Sequence, residues 1–351
     1  MSADFRSDNV AGIAPELLAA IAAANSGTAS AYGDDEWTAG LTARFRTVFE
    51  RDVAAFPLAT GTAANALALS AITPSWGIIY CHQRAHIVSD ECGAPEFFTG
   101  GARLMPLPGE GGKLTPAVLR DAIAATAPHG AHNMQPGAVS MSQTTEVGCI
   151  YTPAEVRALA DVAHGASMKL HMDGARLANA VAALKGSAAD ITWRAGVDIL
   201  SFGATKNGAL AAEAVVCFDA DAAATFAFRR KRAGQLFSKM RFVSAQLDAY
   251  LKDGLWLRNA GRANASAARL AAGIGALPGA ALLAPVQANE VFARLPVGVI
   301  AGLAERGFRF HPWDHALGPG SIRLVTAFNT RDEEVDALLA AARFFAAVGR
   351  R

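Results

Sequence analysis

The sequence predicts an α/β protein whose large domain contains a mostly parallel sheet of the seven-stranded type. The first observation is a series of short apolar runs bounded by polar residues, which is typical of strands buried on both faces. These runs lie at 77–80, 138–141, 168–172, 198–202 and 214–218. The second observation is that segments with helical spacing separate the runs, as expected where helices connect parallel strands.

The helices follow the same alternation until about residue 255. We predict helices over 15–24, 41–49 and 61–72, and a mainly helical stretch over 223–254. Beyond that point a helix over 259–273 leads to strands near 290–293 and 321–325, and a last helix over 331–348 has Thr330 as its predicted N-cap. We therefore predict a large domain over residues 1–255 and a smaller C-terminal α+β domain over residues 256–351.

The composition excludes several classes of protein. The 351 residues are 52% hydrophobic and 18% charged, and the formal net charge is +1. A nearly neutral chain has no field that attracts nucleic acid or an anionic membrane. No run approaches the roughly 20 apolar residues that span a bilayer, and residues 1–8 lack the apolar core of a signal peptide. The four cysteines are scattered, which favours free thiols in a reducing compartment, so we expect a cytoplasmic protein.

The first motif that carries chemistry is Thr60-Gly61-Thr62-Ala63-Ala64-Asn65. It follows an apolar segment and opens a predicted helix, so a flexible glycine and two hydroxyls lie beside free helix N–H groups. Such a helix start suits a bound phosphate. A simple helix cap without a ligand is the alternative.

Two further motifs follow predicted strands. Asp173 ends an apolar strand, and residues at the carboxyl end of a strand face the ligand crevice of an open α/β sheet. Arg176 follows three residues later, and an Asp–Arg pair in a loop is the alternative. Lys206 follows another buried strand, where a crevice favours the neutral, nucleophilic amine, the alternative being a solvated lysine. A phosphate turn, a strand-end aspartate and a strand-end lysine, in this order, predict a pyridoxal-phosphate site.

With these motifs the chain resembles the low-specificity L-threonine aldolases, a family of the fold-type-I, aspartate-aminotransferase-like pyridoxal-phosphate enzymes. The matching pieces span nearly the whole chain. They are Phe5-Arg6-Ser7-Asp8-Asn9-Val10, Tyr32-Gly33-Asp34-Asp35, Thr60-Gly61-Thr62 with Asn65, His86, His132, Asp173-Gly174-Ala175-Arg176, Lys206, Met240-Arg241 and Ile322-Arg323-Leu324-Val325.

The resemblance implies a role for each matching residue. The cofactor would be attached to Lys206 as a Schiff base, with Asp173 on the ring nitrogen, Arg176 on the ring hydroxyl and His86 stacked on the ring. Its other contacts would come from Gly61, Thr62, Asn65 and, from a neighbouring subunit, Arg241. The substrate would be bound by Ser7 and Arg323 at its carboxylate, by His132 at its β-hydroxyl, and by Tyr32 of an adjacent subunit. The N-terminal segment would thus contribute to the active site.

The function implied is retro-aldol cleavage of L-threonine, L-allo-threonine or a related β-hydroxy-α-amino acid to glycine and an aldehyde. The protein would be an aldehyde-lyase that depends on pyridoxal 5'-phosphate, a homo-oligomer built as a dimer of dimers with shared active sites. The alternatives are an aminotransferase or a β-eliminating lyase of the same fold, a non-catalytic binding protein, and a metal-dependent hydrolase. The last would use His82 and His86, four residues apart, but no third ligand is evident and we predict no metal.

The sequence departs from the family pattern after the predicted strand at 138–141. Many members have Glu-Asn-Thr-His there, whereas this chain has Ser142-Gln143-Thr144-Thr145-Glu146. Thr145 replaces the histidine and Glu146 introduces a carboxylate, which changes the polarity around the β-substituent and admits a bulkier substrate such as phenylserine. The base for the β-hydroxyl is left open between His132, a cofactor phosphate oxygen and a water. His129 is a rival to His132 for the same role.

Overall fold

The computed structural model describes residues 3–126, 130–314 and 319–348. Its main sheet orders the strands β1-β7-β6-β5-β4-β2-β3. β7 runs antiparallel to both of its neighbours, and the remaining pairs are parallel. The predicted mostly parallel sheet is therefore confirmed. The strands are β1 (Ala54–Leu58), β2 (Gly77–His82), β3 (Arg103–Leu107), β4 (Gln135–Ser142), β5 (Lys169–Gly174), β6 (Ile199–Gly203) and β7 (Glu213–Cys217).

Helices cover both faces of this sheet, and several begin at a side-chain cap. Asp35 caps α2, Thr60 caps α3, and Thr152 forms a capping box with Glu155 at α7. The helices up to residue 275 are α1 (Pro15–Ala24), α2 (Glu36–Phe49), α3 (Gly61–Ile72), α4 (His86–Ser89), α5 (Ala94–Thr99), α6 (Pro116–Thr126), α7 (Pro153–Gly165), α8 (Leu177–Leu184), α9 (Ala188–Ile191), α10 (Ala220–Arg232), α11 (Arg241–Leu251) and α12 (Leu255–Gly275).

A second, antiparallel sheet follows α12 in the order β10-β11-β9-β8. It consists of β8 (Ala281–Leu282), β9 (Glu290–Arg294), β10 (His311–Pro312) and β11 (Ser321–Val325), and it packs with α13 (Val297–Glu305) and α14 (Asp332–Val348). Phe5 is buried in the core of this part, so the start of the chain packs against its end. The boundary at residue 255 stays a prediction.

The sequence located most elements, and the differences have physical causes. β1 is an apolar run, but it contains Pro57, which argues against a strand interior, and β3 is a half-exposed edge strand without the continuous apolar pattern of a buried one. The predicted helical stretch over 223–254 is interrupted between α10 and α11, where Gly234 has φ +73°. The last helix begins two residues after Thr330, whose hydroxyl accepts a hydrogen bond from the backbone N–H of Ala327. None of the helices in the described residues is both long and apolar enough to cross a membrane.

Candidate active site

One pocket of about 860 Å³ lies at the carboxyl ends of the parallel strands. The strand register brings these ends together, because Ser142 at the end of β4 pairs with Asp173 on β5, which pairs with Ser201 on β6. This edge is where ligands bind in open α/β sheets. Nine predicted site residues line the pocket: Ser7, Gly61, Thr62, Asn65, His86, Asp173, Arg176, Lys206 and Arg323.

The N-terminus of α3 forms one end of the pocket. Thr60 caps the helix, its hydroxyl accepting a hydrogen bond of 3.2 Å from the N–H of Ala63. The first N–H groups of any helix have no partner within it, and here they belong to Gly61 and Thr62. The space into which a Cβ at Gly61 would project is open. The helix end therefore presents free donors and a partial positive charge to an anion.

Asp173 lies on the floor of the pocket with a fixed orientation. Its Oδ2 accepts a hydrogen bond of 2.9 Å from the side-chain amide of Asn65, and its Oδ1 accepts one of 2.9 Å from the N–H of Ala175. The close approach of β6 to this turn requires a glycine, since a Cβ at Gly203 would lie 2.5 Å from the carbonyl oxygen of Ala175. A buried carboxylate held in this way can face a positively charged ring nitrogen.

His86 begins α4 beside this floor. Its Nδ1 lies 2.9 Å from Oε1 of Glu91, which also accepts a hydrogen bond of 2.8 Å from Asn65. The hydrogen bond to Glu91 raises the pKa of His86, while burial raises the pKa of the Glu91 carboxyl. The ring is 42% exposed, so it is oriented by Glu91 and keeps one face available to the pocket.

Lys206 sits in a 3-10 turn, Thr205–Asn207, just after β6. The side-chain amide of Asn207 anchors the turn by donating to the hydroxyl of Tyr250 at 2.7 Å and to the carbonyl of Trp256 at 2.8 Å. The Lys206 amine has neither a hydrogen bond nor an ion pair within the described ranges. Beneath the turn lies Glu213, whose pKa burial raises to about 7. The lysine is thus positioned by its backbone and free at its amine.

Arg176 is bound by an acid that the sequence did not single out. Its guanidinium donates to both carboxylate oxygens of Asp8, at 2.7 and 3.0 Å, and lies 3.7 Å from Glu290. Burial alone would raise the pKa of Asp8, but the charge and hydrogen bonds of Arg176 outweigh it and lower that pKa. The predicted alternative of a pair with Asp173 is wrong, since the partner is Asp8. The predicted contact with a ring hydroxyl stays a prediction.

Arg323 supplies unused donors on the opposite wall. Its Nη2 donates to the carbonyl of Arg6 at 3.1 Å, whereas its Nε is buried and has no partner among the described residues. The guanidinium carbon lies 5.7 Å from the centre of the Trp313 ring. Ser7 lines the same pocket, and its hydroxyl accepts from the N–H of Asn9 at 3.1 Å. A planar carboxylate matches the free side of such a guanidinium.

His132 does not reach this pocket in its own chain. It lies exposed in a 3-10 turn, Gly130–His132, before the first residue of β4. That is the amino end of the strand, whereas the pocket lies at the carboxyl end, and eight strand residues separate the two by roughly 20 Å. His132 therefore lies away from the pocket of its own chain, and its predicted contact with the β-hydroxyl stays a prediction. The rival His129 lies outside the described residues.

Two other predicted residues also lie away from the pocket. The Tyr32 side chain is half-exposed, with Lys231 Nζ 4.4 Å from the centre of its ring. Arg241 begins α11, and its Nη1 is buried without a hydrogen-bond partner in the part of the chain that is described. Neither lines the pocket of its own chain.

His82 and His86 are not a pair on one helix. His82 ends β2 and its Nε2 lies 3.0 Å from the carbonyl of Gly109, while His86 begins α4. The structure contains, over its described ranges, no group of three His, Cys, Asp or Glu residues suited to hold a metal ion.

The sequence missed three acids that organise the site. Asp8 belongs to the N-terminal motif but was given no role there, and Glu91 follows His86 by five residues. Glu290 is the first residue of β9 and is followed by apolar residues. A carboxylate at such a buried position indicates that a positively charged side chain packs against it. Burial raises the pKa of Glu290, and its buried Oε2, which lies 3.7 Å from Arg176, accepts no hydrogen bond from the described residues.

The burial of His171, below the pocket floor, leads us to expect that the stability of the fold depends on pH. His171 is fully buried on β5 between the hydroxyls of Ser140 at 2.9 Å and Ser201 at 3.0 Å, and burial lowers its pKa to about 4 from an ordinary 6.5. As pH falls from 6.5 towards 4, this histidine is protonated in the unfolded chain but stays neutral in the folded chain, so the folded state loses stability. We expect His171 to cost about 3 kcal/mol of stability by pH 4. Thermal unfolding of His171→Gln should depend less on pH across this window, and equal slopes for both proteins would contradict this.

The donors around the pocket match pyridoxal phosphate group by group. A helix N-terminus suits its phosphate, a buried carboxylate suits its protonated ring nitrogen, and an amine without a partner suits its aldehyde carbon. The orphaned donor on Arg323 is in addition available to an amino acid carboxylate. Because fold and donor set agree, they define a pyridoxal-phosphate enzyme of fold type I.

Comparisons with known proteins identify the family. The model of the beta-eliminating lyase family matches residues 4–296. The chain is 43% identical over 339 residues to the low specificity L-threonine aldolase of a Pseudomonas species, covering 97% of this chain and 96% of that one. It is 45% identical over 331 residues to the low specificity L-threonine aldolase of Pseudomonas aeruginosa, covering 94% of each chain.

A solved structure gives the same answer. The threonine aldolase of Leishmania major superposes with a TM-score of 0.91 at 28% identity, over 98% of this chain and 99% of that one. The chain therefore belongs to the low specificity L-threonine aldolases within the beta-eliminating lyase family. It is a pyridoxal-phosphate-dependent carbon–carbon lyase, so the predicted resemblance, fold class, enzyme class and cofactor are confirmed.

Proposed function

We propose that the protein cleaves L-threonine, L-allo-threonine or a related β-hydroxy-α-amino acid to glycine and an aldehyde in this pocket. The observation that carries the proposal is the convergence of Lys206, Asp173 and Arg323 on one cavity at the carboxyl edge of the sheet. Lys206 and Asp173 belong to the main sheet, and Arg323 lies on the second sheet. A substrate bound between them would span both parts of the chain.

The cofactor roles divide among the residues already described. Lys206 would hold the cofactor covalently, Asp173 would pair with its ring nitrogen, and the α3 N-terminus with Gly61 and Thr62 would bind its phosphate. His86 would cover one face of the ring, and Asn65 would keep Asp173 oriented by its hydrogen bond of 2.9 Å. When bound, pyridoxal phosphate supplies an electron sink for the bonds at Cα of the amino acid. Arg176, held by Asp8, would face the ring hydroxyl.

The substrate carboxylate would bind to Arg323, with Ser7 beside it. A bidentate grip fixes the rotation of the amino acid about its Cα–N bond, and that rotation decides which bond at Cα breaks. Trp313 lies beside Arg323 in the pocket lining. Arg323 therefore selects cleavage towards Cβ by orientation.

Replacing Arg323 tests whether it binds the substrate carboxylate. We expect Arg323→Lys to raise KM for the amino acid about 10- to 100-fold, because a lysine loses one of two charged hydrogen bonds. Steady-state kinetics on L-threonine and L-allo-threonine would measure the change. Arg294→Lys, on the neighbouring strand β9 and exposed, serves as the control. An unchanged KM for Arg323→Lys would remove the proposed carboxylate site.

The assembly proposed is a homo-oligomer, a dimer of dimers, with shared active sites. Tyr32, Arg241 and His132 all lie away from the pocket of their own chain, as required if they serve a neighbouring one. The buried Nη1 of Arg241, which has no hydrogen-bond partner among the described residues, is consistent with an anion supplied from outside the chain. The four cysteines are free, and on that ground we also propose the reducing cytoplasm as the compartment.

The function is tested by the products. The purified protein loaded with pyridoxal phosphate would be incubated with L-threonine, L-allo-threonine and phenylserine in separate reactions. We expect glycine and the matching aldehyde in equal amounts, without ammonia. A 2-oxo acid with ammonia would indicate β-elimination, and a requirement for a 2-oxo acid acceptor would indicate transamination; either would contradict the proposal.

A further inference from the structure

The segment after β4 places a carboxyl group in the pocket wall that none of these roles uses. Oε1 of Glu146 accepts hydrogen bonds from the hydroxyl of Ser142 and, at 3.0 Å, from the backbone N–H of His86. Oε2 of Glu146 is buried and accepts no hydrogen bond from the described residues. A buried carboxylate oxygen without a partner is costly. This oxygen therefore indicates either a proton on the carboxyl group itself or a donor from outside the described residues.

The carboxyl group is held in place by the segment around it. The side-chain amide of Gln143 donates to the carbonyl of Tyr151 at 2.8 Å and accepts from its N–H at 3.0 Å. The hydroxyl of Thr145 donates to the carbonyl of Gly111 at 2.8 Å. These hydrogen bonds fix the backbone around Glu146, so its carboxyl group keeps one position in the pocket wall.

Other acids and a histidine of the pocket lining already have polar partners. Both oxygens of Asp173 accept hydrogen bonds, and Nδ1 of His86 is bound to Glu91. Glu290 faces the positive charge of Arg176 at 3.7 Å. Oε2 of Glu91 and Oε2 of Glu290 also lack hydrogen bonds from the described residues, but Glu91 is paired with the His86 ring and Glu290 with Arg176. Glu146 makes no ion pair in the described ranges, which makes it the carboxylate best placed to take a proton from a ligand.

We propose that Glu146 accepts the proton of the substrate's β-hydroxyl during cleavage, an inference that rests on the proposed function. The hydroxyl O–H bond breaks and its proton passes to the Glu146 carboxylate, while the oxygen forms the aldehyde double bond with Cβ. The Cα–Cβ bond breaks and its electron pair stays with the amino acid half, which becomes glycine once Cα takes a proton. The proton lost at oxygen and the proton gained at Cα balance.

The surroundings suit a group that gains and loses a proton near neutrality. Burial raises the pKa of Glu146 to about 7, the range in which general bases work best at cellular pH. The hydrogen bond from Ser142 opposes this rise, and the negative charge of Asp173 adds to it. The titratable groups that interact with this carboxyl from the packed elements are Asp173, the Cys81 thiol and the Tyr151 phenol, while His86 contributes its backbone N–H.

Two reactions of the same holoenzyme separate this role from a structural one. Cleavage needs the β-hydroxyl proton to leave, whereas exchange of the Cα proton of glycine with solvent does not involve any hydroxyl. We expect Glu146→Gln to reduce kcat for cleavage about 100-fold or more and to leave glycine exchange, followed by NMR in D₂O, within about threefold. The matched control is Glu305→Gln, an exposed residue of α13, which should change neither. Parallel loss of both reactions, or no loss of cleavage, would overturn the proposal.

The hydroxyl of Ser142 provides a second test that keeps the carboxyl group intact. Cleavage by the unsubstituted enzyme should increase as pH rises through about 7, because the carboxylate form is required. Ser142→Ala removes a donor that stabilises the carboxylate, so this rise should move to higher pH with little change in its plateau. A pH profile that does not move would overturn the inference. An unsubstituted holoenzyme that yields no glycine from any β-hydroxy amino acid would instead refute the proposed function.

Discussion

Replacing Lys206 with alanine is expected to abolish cleavage. The Lys206 amine would hold the cofactor covalently and exchange protons at Cα, and we expect no neighbouring side chain to take over these two roles. We expect kcat/KM for L-threonine to fall by about four orders of magnitude, or about 5 kcal/mol of transition-state stabilisation. The measurement is glycine released by the variant and by the unsubstituted protein, both saturated with pyridoxal phosphate.

Stability separates this effect from misfolding. The Lys206 amine makes no hydrogen bond or ion pair in the described parts of the chain, so its loss should leave the melting temperature of the cofactor-free protein almost unchanged. Lys252→Ala, at an exposed lysine after α11, is the matched control and should keep full activity. Cleavage by Lys206→Ala at more than about a hundredth of the normal rate would be incompatible with covalent attachment there.

Replacing Asp173 with asparagine is expected to give the second-largest loss. Asparagine keeps the size of the side chain and one acceptor for the Asn65 amide, but it removes the negative charge that stabilises a protonated ring nitrogen. We expect kcat for cleavage to fall about 100- to 1000-fold, the range seen when one electrostatic contact to a reacting centre is lost. The cofactor should remain bound through Lys206 and the α3 N-terminus.

The control for this variant is another aspartate on the surface. Asp121→Asn lies on the exposed side of α6 and should leave kcat unchanged. Asp173→Glu offers a further comparison, because it keeps the charge but displaces it by one methylene in a closely packed floor. An Asp173→Asn enzyme with normal kcat would show that the ring nitrogen does not depend on this carboxylate.

The sequence predicted the parts of the site that depend on strand direction. Asp173 and Lys206 both follow buried strands, and parallel strands bring their carboxyl ends to one edge. The start of the helix at Gly61 was also predictable from the local sequence, because a capping residue precedes it and a glycine begins it. The position of each residue at the end of a strand or the start of a helix both made it predictable and places it in the pocket.

The rest depended on contacts between distant parts of the chain. Asp8 and Arg176 are 168 positions apart, and their pairing requires the N-terminal segment to cross to the carboxyl edge of the sheet. No local pattern specifies which acid a buried arginine meets. His132 is instructive in another way, since it precedes the predicted strand at 138–141 and strand direction alone places it at the wrong edge.

Glu146 shows how a departure from a family pattern gains meaning from structure. The sequence indicated a new carboxylate near the β-substituent but gave neither its burial nor its partners. The hydrogen bonds from Ser142 and from the His86 backbone, and the oxygen left free, come from the path of the segment after β4.

The most direct test of this account is to locate the bound cofactor on the chain. Borohydride reduces a carbon–nitrogen double bond to a stable amine, so treatment of the protein loaded with pyridoxal phosphate should fix the cofactor to its lysine. Digestion and mass spectrometry should then find the added mass on the peptide that contains Lys206, in a yield close to one per chain. Modification at a different lysine, or none at all, would contradict the assignment of this pocket as the active site.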